Sequence, residues 1–157
     1  MRRNRDAFTM IEIVIAVFIL MILLMIGVPS MSGVMADRRL RRSFDDLNKL
    51  VRTAQEFAVA ERRPYLIVWG KDQLVLRPEF LNADEEEAPT ATLVLQRGDA
   101  LQLDLPAALG EVGPAWTFWP SGTCEPAVIR FKGEDGSWTA SYPTLSARGE
   151  LTHYAAR

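Results

Sequence analysis

The stretch Phe8-Thr9-Met10-Ile11-Glu12-Ile13-Val14-Ile15-Ala16 opens an apolar run that lasts to Val28. Over these 21 residues the only polar side chains are those of Thr9 and Glu12, and Glu12 is the only charge. At a helical rise of about 1.5 Å per residue the run spans about 31 Å, the thickness of a bilayer's hydrocarbon core. A carboxylate in such a segment costs on the order of 2.5–3.5 kcal/mol at the bilayer centre and less near its edge. Two readings of Glu12 follow. It is a functional group that needs a cationic partner, or it marks the membrane edge and snorkels to the headgroups.

Ahead of the run, Met1-Arg2-Arg3-Asn4-Arg5-Asp6-Ala7 is a short basic leader ending in a small residue. Leader, Phe8, Glu12 and apolar run together resemble the class III signal of type IV pilins and pseudopilins. The resemblance implies that a prepilin peptidase cuts between Ala7 and Phe8 and methylates the new amine of Phe8. It also implies that Glu12 assists assembly, and that Pro29, 21 residues after Phe8, bends the shared N-terminal helix. The family nearly always has Gly before the cut; Ala7 stands there here and is still small enough for a peptidase pocket. The resemblance further implies that a neighbouring subunit's Glu12 meets the free Phe8 ammonium in apolar surroundings, so that each buried charge is compensated only when subunits add in register; the sequence by itself shows a lone carboxylate in an apolar run.

A conventional secretory signal is the rival reading, because Ser30-Met31-Ser32 offers small residues after an apolar run. The run is longer than the roughly 7–15 residues of a secretory apolar region, and neither Glu12 nor the helical pattern beyond Pro29 suits a removed peptide. Orientation is ambiguous from charge, since Arg2, Arg3 and Arg5 precede the run and Arg38, Arg39, Arg41 and Arg42 follow it. A pilin leader implies a cytoplasmic N-terminus, a single pass through the bacterial inner membrane, and a periplasmic head in a periplasmic filament.

The chain has 157 residues, enough for this helix and one head of about 100 residues. Its net charge of −2 is unevenly placed: residues 30–157 hold 15 basic and 18 acidic side chains, so the head is no general nucleic-acid binder. Cys124 is the only cysteine and His153 the only histidine, which excludes an internal disulfide and a Cys/His zinc site. Without a supporting base near Cys124, a phosphate-binding Gly-rich loop or a recognisable carboxylate pair, the chain reads as no enzyme, with no cofactor and no metal.

Beyond Pro29, Ser30, Ser32 and Gly33 form a weak stretch where the helix should loosen. From Asp37, residues Leu40, Phe44, Leu47, Val51, Ala54 and Ala58 step by four and three onto one helical face, which should carry the head. Arg38, Arg41, Arg42, Asp45, Asp46, Lys49 and Arg52 occupy the polar face, solvated or turned to neighbouring subunits. Pro64 should end the helix. Tyr65–Trp69 and Gln73–Leu76 around Gly70-Lys71-Asp72 predict a hairpin. Asp84-Glu85-Glu86-Glu87, between Pro78 and Pro89, reads as a solvated loop and not a calcium site. Further strands are expected at Thr92–Leu95, Leu101–Leu105, Trp116–Trp119, Val128–Phe131, Trp138–Tyr142 and Leu145–Leu151, with Trp116, Phe118 and Trp119 in the core.

The predicted class is α+β: a long N-terminal helix, transmembrane in its first half and amphipathic in its second, packed on a small antiparallel sheet. The expected segments are a leader (1–7), a transmembrane helix (8–28), an amphipathic continuation (29–63) and a β-rich head (64–157). The Trp119-Pro120-Ser121-Gly122 turn and the late Arg148-Gly149 are similar to the head of H-type minor pseudopilins of type II secretion and their pilus relatives. That resemblance implies a structural subunit at the pseudopilus tip, partnered by other minor and major pseudopilins, prepilin peptidase, the inner-membrane assembly platform and the lipid bilayer. The alternative is a minor type IV pilin of pilus assembly or DNA uptake. Glu150, Leu151 and Thr152 after Arg148-Gly149 make a poor basic surface for DNA, so no nucleic acid is expected.

Overall fold

A computed structural model describes residues 9–82, 88–106 and 115–156, with the side chains of 26–32 not among those described. The chain divides into two compact units, Met1–Met35 and Ala36–Arg157. Helix α1, Met10–Ala60, contributes to both and runs unbroken through residues 26–32.

In the first unit every described side chain from Thr9 to Met25 is exposed, with no apolar stripe and no polar face. Among the described residues no helix is long and apolar enough to cross a membrane. The described part of the run, Thr9 to Met25, is 17 residues, short of the roughly 20 a bilayer needs; Phe8 and the side chains of 26–28 lie outside it.

In the second unit the helix is striped. Ala36, Leu40, Leu47, Leu50, Val51, Ala54 and Ala58 are buried and Phe44 is half-buried, the face expected from the sequence with Ala36 and Leu50 added. The helix ends at Ala60, and Arg62 turns the chain with a left-handed φ of 54° before Pro64.

Among the described residues the strands form two four-stranded antiparallel sheets, where the sequence suggested one. The first joins β1 (Tyr65–Trp69), β2 (Gln73–Pro78), β3 (Ala91–Val94) and β5 (Ala115–Phe118) in the order β3-β2-β1-β5. The second joins β4 (Ala100–Asp104), β6 (Ala127–Gly133), β7 (Gly136–Tyr142) and β8 (Glu150–Ala156) in the order β4-β6-β7-β8. Alternation reveals which face of a strand is buried but not which strand lies beside it. Here β5 returns to pair with β1, Ile67 opposite Trp116, while β4 pairs forward with β6, Leu103 opposite Ile129. The predicted hairpin is present as β1–β2, with Trp69 opposite Leu74. Sheet to sheet, the Trp69 indole donates to the Leu101 carbonyl at 3.2 Å.

The last strand is displaced from its expected place. Leu145–Leu151 holds no strand until Glu150: Leu145 is 84% exposed, and Ala147 adopts a left-handed φ of 46° that breaks an extended chain. A bulge then shifts the register, with His153 opposite Thr139 but Leu151 opposite Ala140. The extra residue, Thr152, bonds the Thr139 carbonyl at 3.2 Å and lets Leu151 and Tyr154, three apart, share one face. At the other end of the β6–β7 hairpin, Gly136 takes φ 144°, and a Cβ there would clash with the Ala155 carbonyl oxygen, so only glycine admits β8 so closely.

One core joins the helix to both sheets. Trp138 is its centre, stacked on Phe131 with ring centroids 5.4 Å apart and met edge-on by Phe44 at 5.2 Å. Trp116 packs on Phe118 at 4.6 Å and on Tyr142 at 5.0 Å. Trp116 and Phe118 are core as expected, whereas Trp119 is 38% exposed. Its place is a turn, where its amide donates to Thr123 and its carbonyl accepts from Gly122.

Candidate assembly site

Just ahead of the helix, the Thr9 carbonyl accepts the amides of Glu12 at 3.1 Å and Ile13 at 3.4 Å. Glu12 therefore sits in the first described turn, where free amide groups and the helix dipole favour a carboxylate. It is exposed among exposed apolar neighbours, Met10, Ile11, Ile13 and Val14. A surface of this kind, apolar on all sides with one anion at its end, is not satisfied by water. Ala7 and Phe8, the expected cleavage pair, lie outside the described residues, as do the Pro29 side chain and Asp84-Glu85-Glu86-Glu87.

Within the head, polar groups hold the helix. Ser43 accepts from the Trp138 indole at 2.8 Å, Asn48 accepts from the Tyr142 hydroxyl at 3.0 Å, and Gln55 donates to the Gly122 carbonyl at 2.5 Å. Nearest the N-terminal end of this unit, the Tyr154 hydroxyl donates to Asp37 Oδ1 at 2.6 Å while Arg41 bonds Asp37 at 2.9 Å and lies over the Tyr154 ring. The Tyr154 hydroxyl and then Arg41 hold the Asp37 carboxyl below its ordinary value. These anchors were not anticipated. Their only sequence signal is that Ser43, Asn48 and Gln55 border the apolar stripe, Asn48 and Gln55 seven residues apart.

Cys124 is buried, its thiol directed to the Pro143 carbonyl at 3.7 Å, and burial pushes its pKa up to about 11, the reverse of what a nucleophile needs. His153 is exposed on β8, opposite Thr139. No group of three or more metal-ligating side chains occurs among the described residues.

Residues 2–28 match the prokaryotic N-terminal methylation motif. No curated protein matches the chain in sequence. Among solved structures, the minor pseudopilin EpsH of the type II secretion system of Vibrio cholerae superposes with a TM-score of 0.55 at 15% identity, over 75% of this chain and 96% of that one. The type IV minor pilin FimU of Pseudomonas aeruginosa superposes with a TM-score of 0.53 at 19% identity, over 74% of this chain and 90% of that one. At such identities the likeness is one of fold. With a prepilin-type methylation motif at one end and a head of the minor pseudopilin and minor pilin fold at the other, the chain is type IV pilin-like in both of its parts.

Proposed function

We infer that the chain is a minor pseudopilin, a structural subunit of the periplasmic pseudopilus of type II secretion, placed at its tip or at the junction with the major subunit. The observation that carries this reading is Glu12, a single exposed carboxylate at the start of an exposed apolar helix inside a methylation motif. In this reading residues 8–28 cross the bacterial inner membrane with the N-terminus cytoplasmic, prepilin peptidase cuts between Ala7 and Phe8, and the Phe8 amine is methylated. Apolar surface on all sides suits a segment that exchanges lipid for neighbouring helices. Glu12 compensates a neighbour's Phe8 ammonium, Pro29 bends the helix, and the assembly platform joins the subunit to other minor and major pseudopilins. The chemistry is assembly, not catalysis.

The test is the intact mass and N-terminal sequence of the protein from hosts with and without prepilin peptidase. A peptidase-dependent product beginning at methylated Phe8 is expected; a full-length chain, or one cut after Ser32, overturns the reading. The fold likeness to FimU, a type IV minor pilin, supports a second reading, a minor type IV pilin, whose role would be pilus assembly or DNA uptake. Deleting the gene separates them: loss of protein secretion with surface pili intact belongs to the first, loss of pili or of DNA uptake to the second.

A further inference from the structure

Within the head unit, an open groove of about 840 Å³ lies between helix α1 and the loop that leads into β8. Lys49 and Arg52 line it from the helix and Arg148 from the loop; all three are exposed and make no ion pair among the described residues. Asp45 and Glu56 line the same groove, four residues from Lys49 and Arg52, yet neither closes on its neighbour. The loop is held so that Arg148 reaches this place. Ala147 is buried in a left-handed φ of 46°, a conformation that is costly for alanine, with its amide bonded to the Pro143 carbonyl at 3.2 Å. Gly149 presses on the helix: a Cβ there would lie 2.6 Å from Asn48 Oδ1 and 2.8 Å from the Tyr142 hydroxyl oxygen. Between these two fixed residues stands exposed Arg148. Backbone strain held in this way by its surroundings, and setting one cation beside two others, is a feature of ligand clamps.

We propose that this groove is a docking surface for a carboxylate-bearing segment of a neighbouring subunit, clamped by Lys49, Arg52 and Arg148. The proposal rests on the reading that the chain is a filament subunit. Two guanidinium groups offer paired N–H donors whose spacing matches carboxylate oxygens, and the groove has room for a stretch of several residues. Its mixed charge favours a protein over a nucleic acid. An unbroken row of phosphates would run against Asp45 and Glu56, whereas a peptide can set an amide or a basic side chain against them. The head as a whole also repels a polyanion, since its acidic side chains outnumber its basic ones. Docked this way, Lys49 and Arg52 gain the partners that the head leaves open, and the polar face of the helix becomes a contact between subunits.

The test uses the full chain in the membranes of its own host, with Thr53 in the groove replaced by p-benzoylphenylalanine, irradiated so that the cross-linked peptide can be sequenced. The expected adduct joins the groove to an aspartate- or glutamate-bearing segment of another subunit with a prepilin-type N-terminus. Its yield should fall about two- to fivefold for each arginine removed in Arg52→Gln and Arg148→Gln, and should fall with added salt. Arg148→Lys, which keeps the charge, should recover most of the yield, and Lys71→Gln in the β1–β2 turn should leave it unchanged. An adduct to nucleic acid or lipid, an adduct to a segment without carboxylates, or a yield that survives the double substitution overturns the docking surface. Absence of an adduct from a chain processed at Phe8 overturns it too and leaves the filament reading standing. An unprocessed chain overturns both.

Discussion

One helix carries two unlike surfaces. From Met10 to Met25 its side chains are exposed on every side and almost all apolar; from Ala36 to Ala58 its apolar residues fall on a single stripe and are buried. The backbone is the same in both, so the difference lies in where each half finds its partner. The striped half is satisfied within the head, by Trp138, Tyr142 and Tyr65 of the two sheets, whereas the described side chains of the other half are exposed and apolar all round. A substitution in one half should therefore be felt by folding, and in the other by membrane or assembly.

The largest expected effect is at Trp138. Replacing it by Ala empties the centre of the core and strands Ser43, at a cost of about 3–5 kcal/mol in head stability followed by circular dichroism of the full chain in detergent. Phe18→Ala, in the apolar half, should leave the same transition unmoved; a shift there would erase the distinction between the two halves. Next is Gly136→Ala, whose Cβ would strike the Ala155 carbonyl and lift β8 from β7, on the order of 1–3 kcal/mol, read as faster amide exchange along Glu150–Ala156.

A smaller effect comes from acid. Because Tyr154 and Arg41 hold the Asp37 carboxyl below its ordinary value of 3.8, the charged form is favoured in the fold. That contribution is complete above about this value and is lost as pH falls through the lower folded one. Melting temperature should therefore drop on strong acidification, and Tyr154→Phe should flatten the drop at this site. Smallest is Arg62→Gly. Relief of the left-handed φ, about 1–2 kcal/mol, is largely offset by glycine's extra chain entropy of about 0.5–1 kcal/mol, leaving a slight rise in stability.

Much of the fold was legible because it is written in local periodicity. The step of four and three from Leu40 to Ala58 placed the buried face correctly, and the Gly70-Lys71-Asp72 turn placed the first hairpin. Trp119 and Leu145–Leu151 misled because alternation records apolar character and not backbone curvature. A turn exposes Trp119, and the left-handed Ala147 postpones the last strand to Glu150. Of the assembly site, Glu12 was legible as a lone charge in an apolar run. The clasp of Asp37, Arg41 and Tyr154 was not, since its members are joined across 117 residues of chain.

By itself the sequence determined the methylation motif, the apolar run with its single carboxylate, the striped continuation and the place of most of the described strands, all properties of residues near one another in the chain. Only the tertiary structure decided that the strands divide between two sheets, that β5 returns to β1, and that a bulge at Thr152 turns Leu151 and Tyr154 to the same face. Those outcomes depend on contacts between distant segments, where the burial of Trp116, Trp138 and Tyr142 against one helix outweighs any local preference.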